Sequence, residues 1–316
     1  MIIPSEPILE HPVLVVGVPV YNEARFLQET LASLASQKWT DFAVLIADNA
    51  SNDGSDAIAR RFCEADPRFR LHRQSSNVGG LGNFRFLHEA TRSPLFMWLG
   101  AHDVLAPDFL SETVVAHQRD PAITLAYTFM HMVDPNGNPE YLLENDRPAR
   151  MPIGRMMRYL HAYRHVQGYE INHVLRRSAL DDYVFRMSYA WDLIFLSHLA
   201  FHGPFACIPR HLYFVRNVHP RDHETAEETM ERLTAEKGRG HDVDDSIDHV
   251  VSDFTQLARG RVGWKLHRSL IRALALHRWR GGLGVLSKAL SATARVRTRG
   301  WQPIRKLVSD QRELSR

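Results

Sequence analysis

VLVVGVPVYNEARFLQETLASLAS, residues 13–36, changes its period halfway along. The first eight residues are apolar and valine-rich, which is the composition of a short buried strand. From Ala24 onward Leu27, Leu31 and Leu34 return at helical spacing. That spacing predicts a helix with these leucines against a sheet. Asn22 is read as its N-cap, with Glu23 in the first turn. A strand that passes directly into an amphipathic helix is the first half of a βαβ unit.

Outward from this stretch the alternation repeats. FAVLIAD (42–48) is a second strand, followed by the polar loop NASNDGS and a helix beginning near Ser55. RFRLHRQ (68–74), GNFRFLHEA (82–90) and PLFMWLG (94–100) continue the series as strand, helix and strand, and Pro107 opens a further helix. This order predicts an α/β fold with a mainly parallel, Rossmann-like sheet flanked by helices. Ligands of such sheets bind at the carboxyl ends of the strands. Residues 19–23, 48–53, 77–83 and 101–103 therefore converge on one crevice.

Residues 121–220 are less periodic, with Trp191 and Asp192 ahead of a helical LIFLSHLAFHG and then a strand, HLYFVRNVH. The expected division is 1–125 and 126–220 as two halves of one body, 221–250 as an acidic loop or linker, and 251–316 as a basic helical tail. Residues 1–220 carry 20 Lys and Arg against 23 Asp and Glu, residues 221–250 carry 4 against 10, and residues 251–316 carry 15 against 3. With Trp264, Trp279 and Trp301, the tail suits an anionic membrane surface. A solvated basic helix pair on the main body is the plain structural alternative. Nucleic acid is not expected as a partner, because no helix-turn-helix, zinc-finger or RNP pattern accompanies the charge. Cys63 and Cys207 stand far apart outside any CxxC pattern, and no run reaches the ~18 apolar residues of a membrane span. A cytoplasmic protein is expected, with a peripheral place on the inner face of the cell membrane as the tail's contribution.

Five features carry chemistry. Asp48 ends a strand where a carboxylate can accept a base ring N–H, or simply cap a turn. VGGLGN (78–83) is neither a dinucleotide fingerprint nor a P-loop, yet its backbone N–H groups could meet a diphosphate. Asp103 can offer a carboxylate to a divalent cation that neutralises a leaving diphosphate, or cap the helix after Pro107. His219 follows a strand and is flanked by Arg216 and Arg221, cations that suit a diphosphate. Asp192 can act as a general base or as an N-cap.

In order and spacing, VPVYNEARFLQETLASLASQ, VLIADNASNDGS, SSNVGGLGNFRFLHEA, FMWLGAHDVLAPDFL, AWDLIFLSHLAFHG and LYFVRNVH resemble the family 2 glycosyltransferases of the GT-A fold, over roughly residues 12–220. The resemblance implies an inverting transferase that moves a hexosyl or deoxyhexosyl group from a UDP-, dTDP- or GDP-linked donor to a glycan or lipid-linked acceptor in bacterial surface polysaccharide or glycolipid assembly. It implies a nucleotide pocket of Pro19, Tyr21, Glu23, Asp48, Asn77 and Asn83, with His102, Arg216 and Arg221 near the diphosphate. Asp192 would be the catalytic base. Asp103 and His219 would hold a divalent cation, Mn²⁺ or Mg²⁺. Where the family writes acidic residues twice, this chain writes Ala101-His102-Asp103, so a non-catalytic nucleotide-sugar-binding protein is the alternative.

Overall fold

The computed structural model describes residues 12–150, 154–186, 188, 191–218, 243–259 and 271. Strand β1 (Leu14–Val20) is followed by α1 (Leu27–Ala35), β2 (Phe42–Asp48), α2 (Ser55–Ala65), β3 (Phe69–Arg73), α3 (Gly79–Glu89) and β4 (Leu95–Trp98). The alternation expected over the first hundred residues is present, element for element. Beyond it lie β5 (Val104–Leu105), α4 (Phe109–Arg119), β6 (Leu125–Val133), β7 (Pro139–Leu143), α5 (Arg155–His165), β8 (Val174–Arg176), α6 (Trp191–His202), β9 (Phe205–Arg216) and α7 (Val243–Ala258).

These strands form one nine-stranded sheet in the order β3-β2-β1-β4-β8-β6-β9-β5, with β7 on β6. β1 pairs in parallel with β2 and β4, and β2 with β3. The second half is mixed: β8 runs antiparallel to both β4 and β6, while β6 and β9 are parallel. In the parallel half alternate residues serve opposite faces. Leu14, Val16, Val18 and Val20 face a core shared with Leu27, Leu31 and Leu34 of α1 and with Phe109 and Val114 of α4. Val15, Leu45 and Phe96 face the other core, built on α3, α5, α6 and α7. A strand buried on both faces reads as a continuous apolar run rather than as an alternation, which is why VLVVGVPV looks as it does.

The chain leaves β1 toward β2 on one side and returns to β4 on the other, so the order reverses between β1 and β4. Open α/β sheets bind ligands outside that switch point. The loops after β1 and β4, residues 21–26 and 99–103, flank it.

Three local expectations change. Asn22 is not a helix cap: it adopts a left-handed φ of 55° and its Oδ1 accepts the Asn52 N–H, while α1 begins five residues later. The described residues of 121–220 hold four strands, and the mixed sheet hides β8 and β9 because their partners lie far apart in sequence. Helix α7 runs across residue 251, where linker was expected to give way to tail. Val250 and Phe254 of α7 are fully buried, so this part of the chain belongs to the body.

Candidate active site

Short polar side chains stitch the loops around the switch point together. Ser51 Oγ accepts the Asn22 N–H and Ser55 Oγ accepts the Glu23 N–H, at 3.0 and 2.9 Å. Asp53 Oδ2 accepts the Ala24 N–H, and its Oδ1 accepts both the N–H and the hydroxyl of Ser55. The Asp-Gly-Ser turn thus fixes the path of the chain after β1. Asn49 does the same for the loop before α3: its side chain donates to Asn77 Oδ1 and accepts the Val78 N–H. Pro19 lies partly buried at the end of β1, and Tyr21 stands 48% exposed just beyond it.

The Ala-His-Asp triplet divides its work. Asp103 is 2% exposed, and its two oxygens accept the Tyr213 hydroxyl at 2.8 Å and the Arg216 N–H at 2.9 Å. Burial raises its pKa, against the nearby His102 and these two donors. A Cβ on Gly100 would lie 2.7 Å from Asp103 Oδ2, so glycine is what lets the carboxylate turn inward. His102 faces the other way, with Nδ1 2.9 Å from Glu23 Oε1. Burial pulls the imidazole pKa down, but the bond to Glu23 and the charges of Asp103 and Glu23 outweigh it, and the net shift is upward.

Several expected ligand groups are used within the protein. Asp48 is fully buried: Oδ1 accepts the Ser51 N–H, and Oδ2 lies 2.9 Å from the Arg73 guanidinium. As folded, it cannot present its carboxylate to a base. Asn83 is likewise buried, donating to Ala47 O at 2.7 Å, so it braces α3 on β2 instead of facing a nucleotide. Arg216 pairs with Glu29 at 2.6 Å and lies over the Phe26 ring, so its charge is already matched. Asp103 holds one protein donor on each oxygen and is 2% exposed, so in this conformation it would have to turn outward to reach a cation in the crevice. His219 and Arg221 lie outside the described residues. Glu23, His102, Tyr21 and Asn77 remain at the crevice.

Asp192 sits in the first turn of α6, partly buried. Gly168 adjoins it at φ +97°, where an added Cβ would come within 2.3 Å of Asp192 Oδ2. Trp191 packs edge-on against Phe84 of α3, 5.7 Å between centroids. The first turn of α6 therefore abuts the helix whose N-terminus opens on the crevice.

Sequence reasoning missed Tyr213, Arg73, Asn49 and Glu29, whose roles exist only once distant segments meet. A signal was available for Gly100, which stands three residues before a buried Asp at a strand end.

The fold and the crevice define an α/β protein of the GT-A type, built to bind at its switch point. Similarity to solved structures agrees: Staphylococcus aureus TarS residues 1–349 in complex with UDP-GlcNAc superposes with a TM-score of 0.62 at 15% identity, over 84% of this chain and 72% of that one. The complex of the same protein with UDP gives 0.62 at 16%, over 90% and 75%. Residues 15–184 match the family described as glycosyl transferase family 2, and the chain belongs to that family. Among relatives, an uncharacterised glycosyltransferase of Methanocaldococcus jannaschii is 22% identical over 48% of this chain and 52% of its own length. The O-antigen biosynthesis protein RfbC of Myxococcus xanthus is 32% identical over 40% of this chain and 10% of its own. The chain thus spans about half the length of the first of these relatives and a tenth of the second.

Proposed function

We propose that this protein transfers a sugar from a nucleoside-diphosphate donor to an acceptor hydroxyl, with inversion at the anomeric carbon. The observation that carries the reading is the convergence of the Tyr21–Glu23, Asn77 and His102 segments on the switch point of a family 2 GT-A fold. Tyr21, exposed at the mouth, offers a ring face to the base, and Pro19 and Asn77 bound the pocket beside it. His102, held on Glu23 and shifted toward its charged form, meets the diphosphate.

In the transfer, Asp192 takes the proton of the acceptor hydroxyl as the oxygen attacks the anomeric carbon opposite the departing group. A new carbon–oxygen bond forms, the bond to the diphosphate breaks, and the nucleoside diphosphate leaves with the electron pair. Gly168 leaves room for the carboxylate to hold this position. The family's usual divalent cation, Mn²⁺ or Mg²⁺, would find His102 and Glu23 at the crevice edge and not Asp103. Imidazole favours Mn²⁺ over Mg²⁺ there.

The O-antigen name of one relative supports a place in surface polysaccharide or glycolipid assembly, with a glycan or lipid-linked acceptor. Among the described residues no helix is long and apolar enough to cross a membrane. The basic tail, largely outside those residues, would hold the enzyme on anionic lipid at the inner face. Incubation with UDP-, dTDP- and GDP-sugars and a panel of lipid-linked glycan acceptors tests the reading. Product from one donor, of inverted anomeric configuration and absent with Asp192→Asn, is expected. Donor binding without turnover would favour the binding-only alternative, and a retained configuration would overturn the single displacement.

A further inference from the structure

Away from the crevice, α6 carries His198 and His202 one turn apart, and Asp182 reaches the same spot from the segment before the helix. Asp182 Oδ1 lies 3.0 Å from His198 Nε2 and 3.1 Å from His202 Nε2, and the three atoms all fall within 4.8 Å of one another. His202 Nε2 is buried and out of line for a hydrogen bond with that oxygen or any other described group. On its far side, His198 Nδ1 meets Asp253 Oδ1 of α7 at 2.9 Å, and Asp253 Oδ2 accepts the Tyr159 hydroxyl at 2.8 Å.

This arrangement has a chemical consequence. A carboxylate that accepts the Nδ1 proton of an imidazole leaves the Nε2 lone pair facing forward. Here that nitrogen meets Asp182 Oδ1 at hydrogen-bond distance, 3.0 Å, with a second imidazole nitrogen, His202 Nε2, 3.1 Å from the same oxygen. In the metal-free fold His198 Nε2 is hydrogen-bonded to Asp182 Oδ1, and His202 Nε2 beside the same oxygen is the unmatched atom; a cation in place of that one proton would engage all three. We propose that Asp182, His198 and His202 bind a zinc ion, with Asp253 orienting His198 and water completing the shell.

The geometry suits it. Zinc bonds of about 2.0–2.1 Å in a tetrahedral shell place ligand atoms roughly 3.3 Å apart, so the two measured separations need little adjustment. Asp182 is half exposed, which gives the ion a way in and leaves a side open for water. A bound ion would tie together the segment before α6, α6 itself and α7, and so brace the helix whose first turn holds Asp192. The site is separate from the crevice, and its binding test does not depend on sugar transfer.

The full chain, freed of metal with chelator and desalted, is dialysed against zinc chloride and its metal content measured beside His202→Gln and Asp182→Asn. Both altered side chains are partly exposed, so these variants should keep the fold. Wild type is expected to hold one more equivalent than either variant and to gain about 3 °C or more in melting midpoint with zinc, a gain the variants lack. Equal stoichiometry in all three proteins overturns the site. A check that needs no variant is the zinc-edge absorption spectrum of loaded wild type. Two imidazoles and a carboxylate are expected, and a sulfur-containing or all-oxygen shell overturns the assignment.

Discussion

Two of the clusters that join histidine to carboxylate among the described residues are finished differently. At the end of β4, Asp103 has a donor on each oxygen, and His102 has Glu23 as its acceptor. At the α6–α7 contact, His198 Nε2 is hydrogen-bonded to Asp182 Oδ1, while the buried His202 Nε2, 3.1 Å from the same oxygen, has no hydrogen-bond partner among the described residues. A buried carboxylate with a protein donor on each oxygen is a scaffold, because exposing it would forfeit bonds already made. A cluster with an unmatched buried nitrogen is a site, because a cation in place of the one proton would engage it. The difference teaches that a motif's position in sequence does not decide which of its members meets a ligand.

The largest expected effect lies at the start of α6. Replacing Asp192 with Asn should lower turnover by about 10²–10⁴-fold, the usual worth of a general base, with nucleotide affinity unchanged. His102→Ala should cost on the order of tenfold, in donor affinity more than in turnover, since it removes one charged contact worth ~1.5 kcal/mol. Steady-state kinetics on both variants decides this. A larger loss from His102→Ala would move the chemistry to the crevice triplet and break the contrast.

Stability sharpens the scaffold half. Tyr213→Phe strips a hydroxyl from a buried carboxylate and should destabilise the fold by about 1–3 kcal/mol, read from urea melts. A neutral result would mean that Asp103 is free to turn outward. Gly168→Ala forces a Cβ against Asp192 at a positive φ and should cost at least ~1 kcal/mol while lowering turnover. Loss of stability with full turnover would show that Asp192 does not need its present position.

Much of the first half was legible. β2 begins and ends where FAVLIAD does, and Leu27, Leu31 and Leu34 are all fully buried against the sheet. Parallel strands with short crossovers announce themselves, because each strand and its helix are neighbours in the chain. The second half concealed itself for the opposite reason. β8 has three residues and takes its partners from β4 and β6, some 50 to 80 positions away. Among site residues, motif position marked Asp103 and Asp48, but whether a carboxylate faces solvent or a tyrosine depends on β9, which arrives over a hundred residues later. Tyr21 and Glu23 could be placed at the crevice from sequence because their loop follows β1 at the switch point itself.

A smaller effect concerns pH. His102 titrates above its ordinary value in the fold, so the Glu23–His102 pair contributes fully below pH 6.5 and is lost as pH rises through the raised value. Wild type should exceed Glu23→Gln by on the order of 1 kcal/mol at pH 6, with the gap closing toward pH 9. A gap that does not change with pH would mean that the imidazole stays neutral. The smallest effect is expected of the tail. Deleting residues 272–316 spares the buried Ile271 and α7, and should weaken sedimentation with anionic vesicles without moving the melting midpoint. Equal sedimentation of both proteins would remove the membrane from the account.

The most direct test of nucleotide recognition is a thermal-shift panel of UDP, dTDP and GDP, each with Mn²⁺ and again with EDTA, on wild type and Tyr21→Ala. One nucleotide should raise the wild-type midpoint by a few degrees, about what ~2.7 kcal/mol of stabilisation gives at a hundred times Kd. That shift should shrink in Tyr21→Ala. No shift with any nucleotide, in either condition, would contradict a donor site at the switch point.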